Sequence, residues 1–375
     1  MYLPKASIEA IVEAVDGLRP GADDLLLVFL GEKNVPDLER LVSALRLKNV
    51  RFMGGVFPGL IHGARHHLEG AILLSLPART GPFVIAGLDR ETVKLPESLG
   101  LEGATNGNPR CTAVVLADGL APDISSLLSE LFGVMGNTVN YLGGGAGFSD
   151  LKQRPCVFTS EGVFQNAAVL AFVALDGALG VRHGWKKLVG PIVATKTRKN
   201  VLIELNWRSA LEGYREIVEG DSGRKLTHDN FAAIASSYPF GIYKEGAEDV
   251  VRDPIAVTDS GHLVCVGEIP ENTVLNILKG RSEWLVTAAG QAAGDCLAAQ
   301  GRNIRQALVV DCVSRSLFLR DGFEKELETV AQRVQALEPG LVPEGMLSLG
   351  EISSSGQGFL EFFNKTIVVG ILYHA

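Results

Sequence analysis

Apolar and polar positions follow a fixed order along this chain. An unbroken apolar run, Leu25 to Leu30, predicts a strand buried on both faces. After it, Leu38, Leu41, Val42 and Leu45 recur at the i, i+3, i+4, i+7 spacing of one buried helical stripe. Pro36 and Asp37 suit the start of that helix, because proline gives up an N–H that has no partner there and the carboxylate faces the positive end of the dipole. Next come Asn49 to Met53, the pair Gly54-Gly55 and a second apolar strand, Ala71 to Leu76.

The same order returns from Ala113. Ala113 to Asp118 is the strand, and Pro122-Asp123 opens a helix striped by Ile124, Leu127, Leu128, Leu131 and Phe132. Asn137 to Leu142, the glycine turn Gly143-Gly144-Gly145-Ala146-Gly147 and the strand Ala168 to Val173 complete it. A looser copy closes the chain: Ala307 to Cys312, a helix striped by Phe323, Leu327, Val330, Ala331 and Val334, the turn Leu349-Gly350-Glu351-Ile352, and the strand Thr366 to Leu372. Three copies of one order read as internal duplication. Each copy offers one substantial helix for about three strands, enough to cover one sheet face only. The expected fold is therefore α/β, with mixed sheets built from strand–helix–glycine turn–hairpin units and two stacked sheets with helices outside, an α/β/β/α layering.

At 375 residues the chain exceeds one ordinary core, so two domains are expected, residues 1–180 holding two of the units and residues 181–375 the rest. Short strands at Pro191 to Thr195 and Val201 to Leu205 and an amphipathic helix from Ala210 through Tyr214 to Val218 begin the second domain, and extended structure resumes at Val251 to Ile255. A net charge of -8 argues against a nucleic-acid partner, whose phosphates need a basic face. No apolar run reaches membrane-spanning length and the N-terminus has no signal-peptide pattern, so a cytoplasmic location is expected. Five scattered cysteines with no C-x-x-C predict free thiols and no structural zinc.

Several short pieces then fall into one order. Gly143 to Gly147 resembles the G-G-x-A-G signature of the FIST amino-terminal domain. Gly190-Pro191 with Thr195-Lys196, Ala210-Leu211 with Tyr214, Arg252-Asp253-Pro254, Gly267-Glu268-Ile269, Cys312-x-x-Arg315, Gly350-Glu351-Ile352 and Asn364-x-Thr366 resemble the FIST carboxy-terminal domain. The resemblance covers roughly residues 20 to 372. It implies an intracellular sensory module for small ligands such as amino acids, working with a histidine kinase, a chemoreceptor or a cyclic-di-nucleotide enzyme. The chain ends where the sensor ends, so these partners are expected in trans. Some members bind haem and respond to nitric oxide.

The candidate site follows from these residues. The bare N–H groups of Gly143, Gly144 and Gly145 suit a carboxylate or phosphate, though they also suit a plain turn. Arg315 is three residues beyond Cys312, at the end of an apolar strand. Arginine grips carboxylates bidentately. Cys312 reads as either a buried thiol or a nucleophile, and the latter lacks a neighbouring histidine base. Glu351 is placed to meet a ligand amino group, with Arg252 or Arg315 on its carboxylate and Asn364 adding a neutral hydrogen bond; an internal salt bridge among the same groups is the alternative. His62, His66 and His67 read as loop residues, not a metal site. Haem needs only one axial ligand and an apolar pocket, which keeps it open. With no complete catalytic set, the expectation is a small-molecule sensor and not an enzyme, without a required cofactor.

Overall fold

The computed structural model describes residues 1–90, 92–96, 99, 111–354 and 360–374. Among them the expected mixed α/β class forms, with three sheets and helices packed on them. The first unit becomes the strand Asp24–Gly31, the helix Leu38–Leu47 and the strand Arg51–Phe57. Asp37 caps the helix by accepting from the Arg40 N–H at 3.0 Å, and the stripe Leu41, Val42 and Leu45 is buried. Arg51–Phe57 lies parallel to Asp24–Gly31, and the long strand Ala71–Ala86 returns antiparallel on its other side. Thr112–Asp118, Ile124–Met135, Asn140–Ala146 and Ala167–Val173 repeat that pairing, as do Asn303–Cys312, Phe323–Leu337, Pro343–Ser348 and Ile367–His374.

Gly54, Gly55 and Gly143 to Gly145, expected as turns, are strand residues, whereas Gly147 and Gly350 lie outside strands with positive φ. Val28 pairs with Gly54, Val115 with Gly143 and Val309 with Gly345 in the three parallel ladders. A side-chain carbon at any of these glycines would collide with the carbonyl oxygen of the paired valine. The close approach of two backbones, not a turn, selects glycine here. The third unit's counterpart of Gly143 is thus Gly345, and Glu351 belongs to the following strand, Glu351–Ser354.

The first two units build the first sheet and the third unit builds the second, but the two exchange hairpins. Arg51–Phe57 runs out of the first sheet into Gly59–His62, which pairs with Pro343–Ser348 in the second. Pro343–Ser348 in turn runs into Glu351–Ser354, which pairs with Asn140–Ala146 in the first. The strand Asp176–Arg182, which spans the expected boundary at residue 180, pairs with Ile367–His374. Side chains alternate between faces as strands require. Leu308, Val310, Met346 and Val368 of the second sheet share one apolar cluster with Val28, Val114, Leu116 and Leu142 of the first. Val309, Val369 and Ile371 face the other way, onto Leu285, Phe323, Leu327 and Val330 of two helices. Ala113, Val115 and Ala117 likewise face Ile124, Leu127 and Leu131. Each such buried Val, Leu or Ile side chain contributes about 1.5–3 kcal/mol.

A third, antiparallel sheet takes its strands from Lys186–Arg198 through Thr273–Lys279 and is covered by the helix Ala210–Ser222, around a core of Tyr214, Val218, Phe231 and Phe240. The helix Ser282–Asp295 has no strong apolar stripe in sequence, because it buries Ala288, Ala289, Gly290, Ala292 and Ala293. Small side chains let it lie against the strand Asp176–Arg182, where Gly180 meets the Ala292 backbone. No helix among the described residues is long and apolar enough to cross a membrane.

Candidate functional site

The parallel pairs Thr112–Asp118/Asn140–Ala146 and Asn303–Cys312/Pro343–Ser348 send their following loops toward one crevice, where carboxyl ends of strands commonly bind ligands. A cavity of about 490 Å³ lies there, a size suited to a small organic molecule. Gly119, Ala121 and Ser125 come from the end of the second unit's strand and its helix; Cys312, Ser314 and Leu317 come from the third unit. Phe362 and Asn364 arrive on the C-terminal hairpin, and the third sheet closes the site with Lys199, Asp253, Cys265 and Glu268.

Of the residues singled out in the sequence, Cys312 and Asn364 line this cavity. The Cys312 Sγ lies 3.0 Å from the Ser314 Oγ, and burial, then the nearby Glu351 carboxyl, pushes the thiol well up. The Asn364 Oδ1 is buried without a hydrogen-bond partner. Glu351 is fully buried just behind the wall. It accepts from the Ser348 hydroxyl at 2.6 Å and from the Thr366 N–H at 3.1 Å. Burial pushes its carboxyl up to about 8, against the pull of those hydrogen bonds.

Neither arginine reaches the cavity. The Arg315 guanidinium is 0% exposed and grips Glu326 bidentately, Nε to Oε1 at 3.0 Å and Nη2 to Oε2 at 2.6 Å. Its remaining donors go to the carbonyls of His183, Lys365 and Leu285. Burial alone would lower it, but Glu326 and Asp311 raise it above the usual arginine range. Asp311 lies 3.3 Å from the Arg315 Nε, and burial, then Glu326, pushes its carboxyl well up against the pull of Arg315. Arg252 instead donates to the carbonyls of Glu268 at 2.8 Å, Val251 at 3.0 Å and Phe362 at 3.2 Å, and borders a separate cavity of about 450 Å³ with Lys244 and Glu361. Gly143, Gly144 and Gly145 do not line the site. Their backbone is taken up by sheet pairing, with the Gly145 N–H donating to Gly350 O at 2.7 Å, and Gly144 abuts Ser348 and Val310 of the second sheet. The anion cradle expected of them is therefore absent from these three residues.

Asp253 lines the cavity where its neighbour Arg252 does not. Its Oδ2 pairs with the Lys365 Nζ at 3.0 Å, while its Oδ1 is buried without a partner. Burial raises this carboxyl, against the pull of Lys365. Lys365 also donates to Ser236 O at 3.1 Å and lies over the Trp185 ring. Adjacent residues of an extended chain point to opposite sides, and that rule is the signal for choosing between Arg252 and Asp253.

His62, His66 and His67, expected in a loop, lie on paired strands, Gly59–His62 and Arg65–His67, and Tyr2 stacks against His62 and His67. Among the described residues no group of three or more His, Cys, Asp or Glu side chains is arranged to hold a metal. All five cysteines are unpaired and buried.

The FIST N domain model matches residues 24–208 and the FIST C domain model matches residues 210–354, nearly the whole chain. FIST domains are associated with sensory roles in signal transduction. A search of curated proteins found no match.

Proposed function

We propose that this chain, which belongs to the FIST family, is a ligand-binding sensory module whose effector, a small amino-acid-like compound, occupies the 490 Å³ cavity. One observation carries the reading. Segments far apart in sequence, from both halves of the chain, converge on this cavity and leave two buried oxygens, of Asp253 and Asn364, without hydrogen-bond partners. Buried polar groups are nearly always paired, and an unpaired one costs about 1–3 kcal/mol, so a ligand that supplies donors relieves a real penalty. Binding at this junction reaches all three sheets, and through them a signalling partner such as a histidine kinase, a chemoreceptor or a cyclic-di-nucleotide enzyme. Five unpaired cysteines suit a reducing compartment, which supports a cytoplasmic site of action.

The role is binding, not catalysis. Burial holds the Cys312 thiol protonated, and its neighbours are the Ser314 hydroxyl and the Glu351 carboxyl, whereas a nucleophilic cysteine needs a base that draws its proton away. Haem fits poorly for a related reason. The described wall of the cavity contains no imidazole, and its two thiols, Cys265 and Cys312, are both held in the protonated form by burial.

The test is thermal. A ligand at 100 times its dissociation constant adds about 2.7 kcal/mol, so screening small amino-acid-like compounds for a melting shift finds the effector class. Ser314 is a half-buried helix residue that lines this cavity and not the 450 Å³ one, and Ser314→Trp fills it. The variant should fold and lose the shift; a variant that keeps the full shift places the ligand elsewhere.

A further inference from the structure

Resting on that reading of the cavity, we infer that it recognises the ammonium end of a primary amine with an apolar body, through Asp253 and Asn364, and makes no buried grip on a carboxylate. The chemistry of the wall is lopsided. Its unpaired buried groups are acceptors, the Asp253 Oδ1 and the Asn364 Oδ1, and Glu268 is a further acidic residue of the wall. An ammonium has three donors and no acceptor, the complement of such a wall, and hydrogen bonds from it to a carboxylate are charge-assisted. The side-chain torsions that aim these oxygens are broad and two-fold, so a small rotation presents them to a ligand. Asp253 is held by Lys365 through Oδ2, which leaves one carboxyl oxygen fixed and the other unpaired.

The cations that would hold a carboxylate are engaged elsewhere. Arg315 is locked to Glu326, Arg252 to three carbonyls, and Lys365 to Asp253 and Ser236. The lysine in the described wall, Lys199, stands in an exposed turn at the rim. Leu120, Ala121, Ile124, Leu349 and Phe362 line the remainder and suit an apolar ligand body.

Three probes sharing one aromatic body separate the alternatives: phenethylamine, hydrocinnamate and phenylalanine, each titrated at millimolar concentration by calorimetry and melting. The amine and the amino acid should bind and hydrocinnamate should not. Asn364→Leu should weaken phenethylamine about tenfold, the worth of one hydrogen bond to a charged group. The same variant should melt above the parent protein when unliganded, an effect a merely structural asparagine would not give. Hydrocinnamate binding as well as phenethylamine, or no response to phenethylamine at all, overturns the inference. An amine response kept in Asn364→Leu but lost in Ser314→Trp leaves the cavity as the site and sinks this mode of recognition. A response kept in both variants removes the cavity itself as the site.

Discussion

Arg315 and Asn364 are both buried residues of short motifs in the third unit, and the fold completes one while leaving the other open. Around Arg315 every strong partner is internal: Glu326 takes two of its donors, and carbonyls from three other segments take the rest. Asn364 and Asp253 are buried too, yet one oxygen of each goes without a partner and the cavity lies alongside. A saturated cluster is an element of structure however reactive its residues look in sequence. An unsaturated one holds free energy that a ligand can release. Binding capacity is legible in what a site leaves unpaired, not in its charge.

The largest effect should come from breaking the saturated side. Arg315→Met removes the cation from a fully buried group and leaves Glu326 facing Asp311 with no compensation. Losing one partner of a buried pair costs about 3–5 kcal/mol, and denaturant unfolding at neutral pH should show that loss. An arginine that served the ligand would instead leave stability intact and abolish the ligand response, so the two roles give opposite patterns.

Between the two clusters sits Glu351, and its test is pH. Its folded-state carboxyl is raised from 4.5 to about 8 by burial, so in this interval the folded protein holds a proton that the unfolded chain has lost. Stability from this group is therefore full below pH 4.5 and falls as pH rises toward 8. Glutamine keeps both contacts, accepting from the Thr366 N–H and donating to the Ser348 hydroxyl, which can pass its own proton to Asp311 O. Glu351→Gln should match the parent in acid and exceed it by a few kcal/mol above pH 8, since each tenfold change in proton affinity is worth about 1.4 kcal/mol. Parallel stability curves for the two proteins across that range would show that the carboxyl is not raised.

Much of the fold can be read from the sequence because period and chemistry agree there. The strands near Leu25, Ala113 and Ala307 and their striped helices satisfy length, apolar pattern and capping at once. The helix Ser282–Asp295 is hard to see because alanine and glycine carry little apolar contrast, and the exchanged hairpins are hidden because pairing partners hundreds of residues apart leave no local signal. The glycine run stands out in the sequence, but its role does not. A turn and a tight inter-strand contact both demand a missing side chain, and only the register of Val115 with Gly143 tells them apart. In the site, Cys312 and Asn364 are legible from their motifs, whereas Arg252, Arg315 and Gly143 to Gly145 mislead for one reason. Residue type announces what a group could bind, while its burial and existing partners decide whether it is still able to.

The smallest effect sharpens the comparison most, because its sign is opposite to that of Arg315→Met. The Asn364 side chain is buried, its Oδ1 makes no hydrogen bond, and the bond it accepts from the Thr366 hydroxyl is made by its backbone carbonyl. Leucine has nearly the same shape and leaves that backbone bond in place. Asn364→Leu therefore removes an unsatisfied acceptor and adds apolar contact with the neighbouring Phe362, which should stabilise the unliganded protein by about 1 kcal/mol. Overpacking works the other way and is checked with Asn364→Ala, which removes the same oxygen without the added volume but leaves a small void. A gain from leucine alone, with alanine near neutral, marks the oxygen as a liability of the empty site. A loss of about 1 kcal/mol or more in both variants would make Asn364 a structural partner like Arg315, and the contrast between the two clusters would collapse.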